Sequence, residues 1–510
     1  MYKQKVYSHI DGIIRLNQKG QPKKKILDLI NNKFEIKQHP FLPFIKFSID
    51  FNKYDGHKKI KKFKSRTIML TSHLDSLIYQ KYANELSEKY EALLEKDSML
   101  AVNEAAVAYR SGKGDNIDIA KKVIDKIWKD SDVWIIKGDF SDFFDSLNHR
   151  YLIKQLRLVL GKEIEDDWWH VIRSLTYHYC FINKYSVQDE QGNKQEGLIN
   201  IFNREHISLP KLESGDPYFH SLKDFDVFIK KNKGVVQKYS KGIPQGNSMS
   251  AILANIYMLS FDEWMVNRIK VFRGMYQRYS DDFVIVIPKE NLNEERMNRF
   301  KDELVSKSTE ELHVKIQPEK TKIYSYNNQR IVKQGETSPT QFDYLGLSFS
   351  GHSVTIRPKS IYKFIYKGRN LQRRANRLIT IQSIIDENKL TKNSDDQKFF
   401  NAINQYYYSY FIQKNFSYLK ANKFVHRKSN EIKQYLVLGH NKLNKQAYKK
   451  RMANQYYATM AKNVKVKLFS QRSFITYASK VQNKFKDAEY DINMMRQLKK
   501  SQNRILRNKK

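Results

Sequence analysis

The chain has 510 residues, 40% of them hydrophobic, which is enough for several domains with a real core. Its 92 Lys and Arg against 54 Asp and Glu leave a net charge of +38, a basic excess that points to polyanionic partners. A single cysteine, Cys180, excludes a disulfide framework and a cysteine zinc site, and neither a signal-peptide core nor an apolar run of ~18 residues is present, so a cytoplasmic protein without membrane contact is expected.

Residues 1–60 alternate basic and apolar stretches, broken by Pro40 and Pro43, and are read as an N-terminal extension with no legible chemistry. In the stretch from Lys62 to Tyr79 the second half has apolar residues at helical spacing and runs into Tyr82 to Leu94, also helical. Tyr109-Arg110-Ser-Gly-Lys113-Gly-Asp-Asn116 is a basic, glycine-bearing loop ahead of another helix. Trp134-Ile-Ile-Lys-Gly-Asp139 is a short apolar strand that delivers Asp139 to its end, and Phe140-Ser-Asp142-Phe143-Phe144-Asp145 then starts a helix. Residues 180–235 are a polar interval read as an insertion or an elaborated connection. Cys180 within it sits in an apolar setting and is expected to be a small buried hydrophobe.

Ser240-Lys-Gly242-Ile-Pro-Gln245-Gly246-Asn is a turn-rich loop leading into the apolar helix Ala251 to Met258. Tyr276-Gln-Arg-Tyr279 and Phe283 to Ile287 read as two paired strands with Ser280-Asp281-Asp282 at their connection. Adjacent carboxylates there repel each other and resist desolvation, which a divalent cation relieves. Glu294 to Leu312 is an amphipathic helix, Val314-Lys-Ile316 a strand, and Pro318-Glu-Lys320-Thr-Lys-Ile323 follows. From residue 360 the signal is helical, without proline, and residues 361–510 hold 34 Lys and Arg against 8 Asp and Glu. Tyrosines interleave with this charge at Tyr406-Tyr407-Tyr408, Tyr410 and Tyr456-Tyr457, a pattern suited to gripping nucleic acid.

The stretches around Asp139, Gln245 and Asp281, in that order, resemble motifs A, B and C of the reverse transcriptase palm. Lys320 falls in a segment resembling motif D, and Gln341-Phe342-Asp-Tyr344-Leu-Gly-Leu-Ser-Phe349 resembles motif E. The resemblance implies an α+β right-hand polymerase, with fingers and palm over 61–350 and an all-α basic thumb and C-terminal domain over 351–510. It implies a cluster of Asp139, Asp281 and Asp282, with the backbone carbonyl of Phe140, holding two Mg²⁺ ions ~4 Å apart for nucleotidyl transfer. Asp142 and Asp145 are rivals to Asp139 within motif A. Arg110 and Lys113, with Arg66 behind them, would meet the incoming triphosphate as fingers cations. Phe144, five residues after Asp139, would be the aromatic gate against a 2′-hydroxyl. Gln245 would contact the template–nucleotide pair, with Gly242 and Gly246 letting the backbone approach it, and Lys320 would neutralise or protonate the departing pyrophosphate.

Too few acids follow residue 360 for a carboxylate-based RNase H domain, and one cysteine argues against a cysteine-bearing endonuclease. The loop at Tyr109, Phe143-Phe144-Asp145-Ser, Tyr-Ser-Asp-Asp and the long helical end look most like bacterial reverse transcriptases of the abortive-infection and unknown-group, defence-associated type. That group implies synthesis of DNA from dNTPs in antiphage defence, either copying an associated noncoding RNA or polymerising without a template, sometimes as a homo-oligomer. The alternative is an RNA-binding scaffold or an intron maturase-like splicing factor, against which the intact aspartates speak.

Overall fold

A computed structural model describes residues 2, 5, 7–55, 60–182, 184, 186–188, 194–207, 215–317, 321–440 and 474–506. The chain divides into two compact units. Met1–Gly114, Lys129–Asn328 and Val332–Ser338 make the first, and Asp115–Trp128, Gln329–Ile331 and Pro339–Lys510 the second.

The strands of the first unit that matter for the site are β1 (Phe44–Asp55), β2 (Ile60–Leu70), β3 (Val133–Asp139), β4 (Tyr179–Phe181), β5 (Val236–Lys238), β6 (Met275–Tyr279), β7 (Asp282–Pro288) and β8 (Lys322–Asn327). Four of them are neighbours in the order β8-β3-β7-β6, all antiparallel. Phe283 to Ile287 of β7 are fully buried, as a continuous apolar run requires when both faces of a sheet are covered. The register sets Gly138 of β3 opposite Phe283, and a Cβ on Gly138 would stand 2.1 Å from the Phe283 ring, so only glycine fits under that phenylalanine.

Helices α1 (His73–Leu94), α2 (His149–Leu160), α3 (Met249–Tyr257), α4 (Leu259–Val271) and α5 (Glu294–Glu310) supply Leu86, Leu152, Leu253, Met265 and Phe300 to the core that also holds Ile136 and Ile285. Side-chain oxygens start three of them: Ser72 accepts from the Asp75 N–H, Asn148 from Tyr151 and Asn293 from Arg296. The Val314–Ile316 strand reduces to one bridge between Phe140 and Ile316.

A second sheet runs β2-β1-β4-β5. Residues 44–55, expected within a separate N-terminal extension, instead pair with β2 along their whole length, from Ile45↔Leu70 to Asp55↔Ile60. β1 also adds in parallel to β4 at Phe44↔Cys180. The polar interval after residue 180 has its own aromatic core, with Phe181, Phe202, Phe219, Phe225 and Phe228 packed around Ile10 and Ile45. Cys180 is buried in the main core beside Phe44 and Leu175, and burial pushes its thiol up to about 12.

The second unit contains β9 (Phe342–Tyr344), β10 (Leu347–Phe349), β11 (Ser353–Ile356) and β12 (Asp491–Ile492), hydrogen-bonded in that order, so this part is not purely helical. Its helices include α6 (Pro358–Glu387), α7 (Asp396–Gln413), α8 (Tyr418–His440), α9 (Phe474–Lys484) and α10 (Met494–Leu506). Pro358 sits at the first turn of α6, where its missing N–H costs nothing. Ile384, Phe399, Ile403, Val425 and Ile432 form the core of α6, α7 and α8. Because the β9–β10 hairpin pairs onward into β11, it divides from the palm at residue 339 rather than at the expected 350.

Candidate active site

The end of β3 and the β6–β7 turn are clasped together. Asp139 lies directly opposite Asp282 in register, and the Phe140 N–H donates to the carbonyl oxygen of Asp281 at 3.2 Å. The carboxyls of Asp139 and Asp281 lie close enough for the Asp139 charge to act on Asp281. Desolvation first, and the Asp139 charge second, raise the Asp281 carboxyl above its ordinary value, while Ser280 works against the shift. Of the expected ligand set, the fold therefore brings Asp139 and Asp281 together and sets Asp282 beside them. Among the described residues no group of three or more His, Cys, Asp or Glu is arranged to hold a metal ion, so the expected three-aspartate cluster is not assembled here. The donor chemistry still fits a divalent cation: two acceptor-only groups, partly desolvated and mutually repelling, gain most from shared positive charge.

Asp142 begins the short helix Phe143–Ser146 in a left-handed conformation, φ 42°, with an exposed side chain. The two phenylalanines then part. Phe143 is buried against Phe140 and Tyr257, whereas Phe144 stays half-buried with its ring edge-on to Phe143. The motif B loop grips this turn from outside. The Gly242 N–H donates to Leu147 at 2.9 Å and the Ile243 N–H to the carbonyl of Phe144 at 2.8 Å. Gly242 has φ 71°, and a Cβ there would lie 2.6 Å from the carbonyl oxygen of Asp145. Its freedom serves approach to motif A itself rather than to a ligand. Gln245 donates from Nε2 to Asp145 at 3.4 Å, and its carbonyl accepts from the Met69 N–H of β2 at 2.8 Å.

Arg110 is placed differently from expectation. Its side chain is 2% exposed and all its donors are taken: Nε and Nη2 fork onto Glu91, Nη1 donates to the carbonyls of Asn103 and Ala106, and Nη2 also reaches the Asn103 side chain. A guanidinium so committed locks the loop onto α1 instead of presenting a mobile charge. Lys113 sits 3.6 Å from Glu104, and Arg66 projects exposed from β2. Lys320 lies outside the described residues, as do Tyr456 and Tyr457.

Lys46 was missed from sequence. Its Nζ donates to the Tyr239 hydroxyl at 3.2 Å, its charge acts on Asp145, and Tyr239 stacks on His178 with centroids 5.0 Å apart. The usable signal was the Asp55-Gly56 pair between two strand-like runs, which marks a hairpin and would have joined β1 to β2. In the second unit the tyrosine run splits: Tyr407 packs against the core, while Tyr408 is 65% exposed and Tyr406 and Tyr410 each 41%.

Residues 202–349 match the family model for "Reverse transcriptase (RNA-dependent DNA polymerase)", a stretch that includes Gln245, Asp281 and Asp282 and begins after Asp139. No curated protein matches the chain by sequence. Solved structures similar to it include apo telomerase from Candida tropicalis truncated from its C-terminal domain (TM-score 0.36, 15% identity, 61% of this chain and 55% of that one). Others are Candida albicans telomerase in complex with a TWJ fragment of telomeric RNA (0.35, 15%, 88% and 65%) and apo Candida tropicalis telomerase (0.37, 13%, 91% and 66%). The chain thus spans under two thirds of the length of these structures. Residues 202–349 thus match a reverse transcriptase domain, within a mixed α/β fold followed by a mainly helical basic region. Among the described residues no helix is long and apolar enough to cross a membrane.

Proposed function

We propose that the chain polymerises DNA from dNTPs at a centre built on Asp139 and Asp281, with Asp282 at its margin. The observation that carries this is the meeting of two carboxyls from β3 and the β6–β7 turn, with the Asp281 acid weakened first by burial and then by the Asp139 charge. Two Mg²⁺ ions, when bound, would make a primer hydroxyl nucleophilic and neutralise charge on the transferring phosphate. Asp139 and Asp281 would hold them, with the Phe140 backbone alongside.

The remaining parts orient substrate. Phe144, held through its own carbonyl by Ile243, supplies a rigid surface beneath the sugar that a 2′-hydroxyl would strike. Gln245, tied to both Asp145 and β2, supports the nascent base pair. Lys46 and Arg66 on the fingers hairpin, with Lys113, are the cations for the triphosphate. Arg110 is assigned to holding its loop, and Lys320 to the leaving pyrophosphate. The exposed tyrosines and basic charge of the second unit suit an RNA template or DNA product.

The wider setting we propose is the bacterial cytoplasm, in antiphage defence of the abortive-infection type. There the chain copies an associated RNA or extends without a template, as a monomer or a homo-oligomer. The test is extension by purified protein with Mg²⁺ and each dNTP, with and without RNA, beside Asp281→Ala/Asp282→Ala. Aspartate-dependent product supports the reading, and its absence under every condition overturns it.

A further inference from the structure

Arg278 precedes the aspartates by three residues and is wholly buried, as is its partner Asp262 near the start of α4. A buried ion pair contributes little net stability over well-packed apolar residues, so stability alone does not account for this arginine in the middle of β6. Its donors are distributed between two sides. Nε donates to Asp262 Oδ1 and Oδ2 at 2.9 and 3.1 Å, and Nη2 to Oδ2 at 2.6 Å. Nη1 turns the other way, to Asn255 Oδ1 of α3 at 3.2 Å and to the carbonyl oxygen of Ser280 at 3.0 Å.

Ser280 is the residue that makes the turn. It is buried in a left-handed conformation, φ 60°, which a non-glycine residue holds only when its surroundings fix it. Its hydroxyl accepts from Tyr109 at 3.1 Å, and its carbonyl is fixed by Arg278. The next residue is Asp281. Behind the arginine, Tyr276 donates to Asp262 Oδ1 at 2.7 Å, the Val107 N–H donates to the Arg278 carbonyl, and Asn255 Nδ2 donates to Ala108. The motif B helix and the helix after it meet on one guanidinium, and the loop before Tyr109 ties to the Arg278 backbone and to Asn255.

We propose that Arg278 is a positioning residue of the polymerase centre: braced by Asp262, it fastens the Ser280 carbonyl and so sets the turn from which Asp281 meets Asp139. The proposal rests on the polymerase reading of that site. It separates two duties of a single side chain, charge pairing with Asp262 and hydrogen bonding to the turn.

The test uses full-length protein and a triple variant, Arg278→Met/Asp262→Leu/Tyr276→Phe, which removes the pair without leaving a buried charge or hydroxyl unpartnered. Arg278→Lys is the second variant; it keeps the charge but lacks the fork that reaches Asp262 and Ser280 together. Readouts are melting temperature, Mn²⁺ affinity by electron paramagnetic resonance with and without dATP, and kcat and KM for extension. The triple variant is expected to melt near wild type, bind Mn²⁺ about tenfold more weakly and lose roughly 10–100-fold in kcat with KM little changed. Arg278→Lys is expected to fall between the two. A folded triple variant with wild-type Mn²⁺ affinity overturns the proposal. If the triple variant melts far below wild type, Arg278→Lys decides by the same affinity. Wild-type protein that binds Mn²⁺ through Asp281 yet makes no DNA sinks the polymerase reading alone. Binding that ignores Asp281→Ala sinks both.

Discussion

Gly242→Ala tests whether the motif B loop holds motif A. At φ 71° an alanine carries the left-handed penalty, about 1–2 kcal/mol. Its Cβ, 2.6 Å from the Asp145 carbonyl oxygen, also forces two stretches of backbone apart. The bonds to give way are Gly242 N–H to Leu147 and Ile243 N–H to Phe144, each worth about 1 kcal/mol net. The expected loss is about 3 kcal/mol, a fall in melting temperature of about 6 °C for a unit of this size. Gly234→Ala is the control: φ is 87° there too, but nothing lies within 4 Å of the added methyl, so only the backbone penalty remains, about 1–2 kcal/mol. Circular dichroism melts of both proteins, with ribonucleotide misincorporation scored in parallel, separate the effects. Gly242→Ala should lose sugar discrimination because Phe144 hangs from Ile243, and Gly234→Ala should keep it. Equal melting of the two, with unchanged discrimination, would refute the clasp.

Phe144→Ala should raise ribonucleotide use relative to deoxynucleotide by at least about tenfold in kcat/KM, measured with matched nucleotide pairs; an unchanged ratio removes Phe144 from the gate. Asp281→Asn should raise the melting temperature of metal-free protein at neutral pH. The Asp281 pKa is raised in the fold, so its contribution is full below the unfolded carboxylate range near about pH 4 and is lost as pH rises through the folded value. Melts from pH 4 to 8 should therefore diverge upward with pH, and added Mg²⁺ should stabilise only the wild type; a difference independent of pH would refute the coupling. Arg110→Ala should cost about 2 kcal/mol, since Glu91 loses its forked partner but is a third exposed. Lys46→Ala should cost about 1 kcal/mol, the net value of its bond to Tyr239, and raise the KM for dNTPs. Melting and nucleotide titration of both variants check the exchange of roles, and an unchanged KM for Lys46→Ala would count against it.

The palm was readable because each of its parts has a local cause. Phe283 to Ile287 is one apolar run, Ser280-Asp281 makes the turn ahead of it with Asp282 already the first residue of β7, and Asp139 closes a short buried strand. The fingers were harder to place: Ile45, Phe47, Ile49 and Phe51 of β1 alternate with polar residues as a strand does, but the pairing depends on a long hairpin and on β4, more than a hundred residues away. Arg110 misled for a similar reason: a basic loop looks exposed until its partner Glu91, nineteen residues earlier on α1, is known. The core between Phe181 and Phe228 draws on two short helices, whose buried residues Leu198, Ile201, Phe202 and Phe225, Phe228 repeat at helical spacing too briefly to stand out in a polar interval. Tyr406 to Tyr410 lie on one helix and divide between core and surface, which composition alone cannot resolve.

The central claim is that Asp139 and Asp281 form a metal-dependent centre for DNA synthesis. The most direct measurement is extension of each labelled dNTP by nuclease-cleared protein with Mg²⁺, comparing wild type, Asp139→Ala, Asp281→Ala and Asp142→Ala. The account predicts product from wild type and Asp142→Ala, and none from the other two. Product that survives loss of Asp139 or Asp281, or that vanishes only with Asp142, would contradict it.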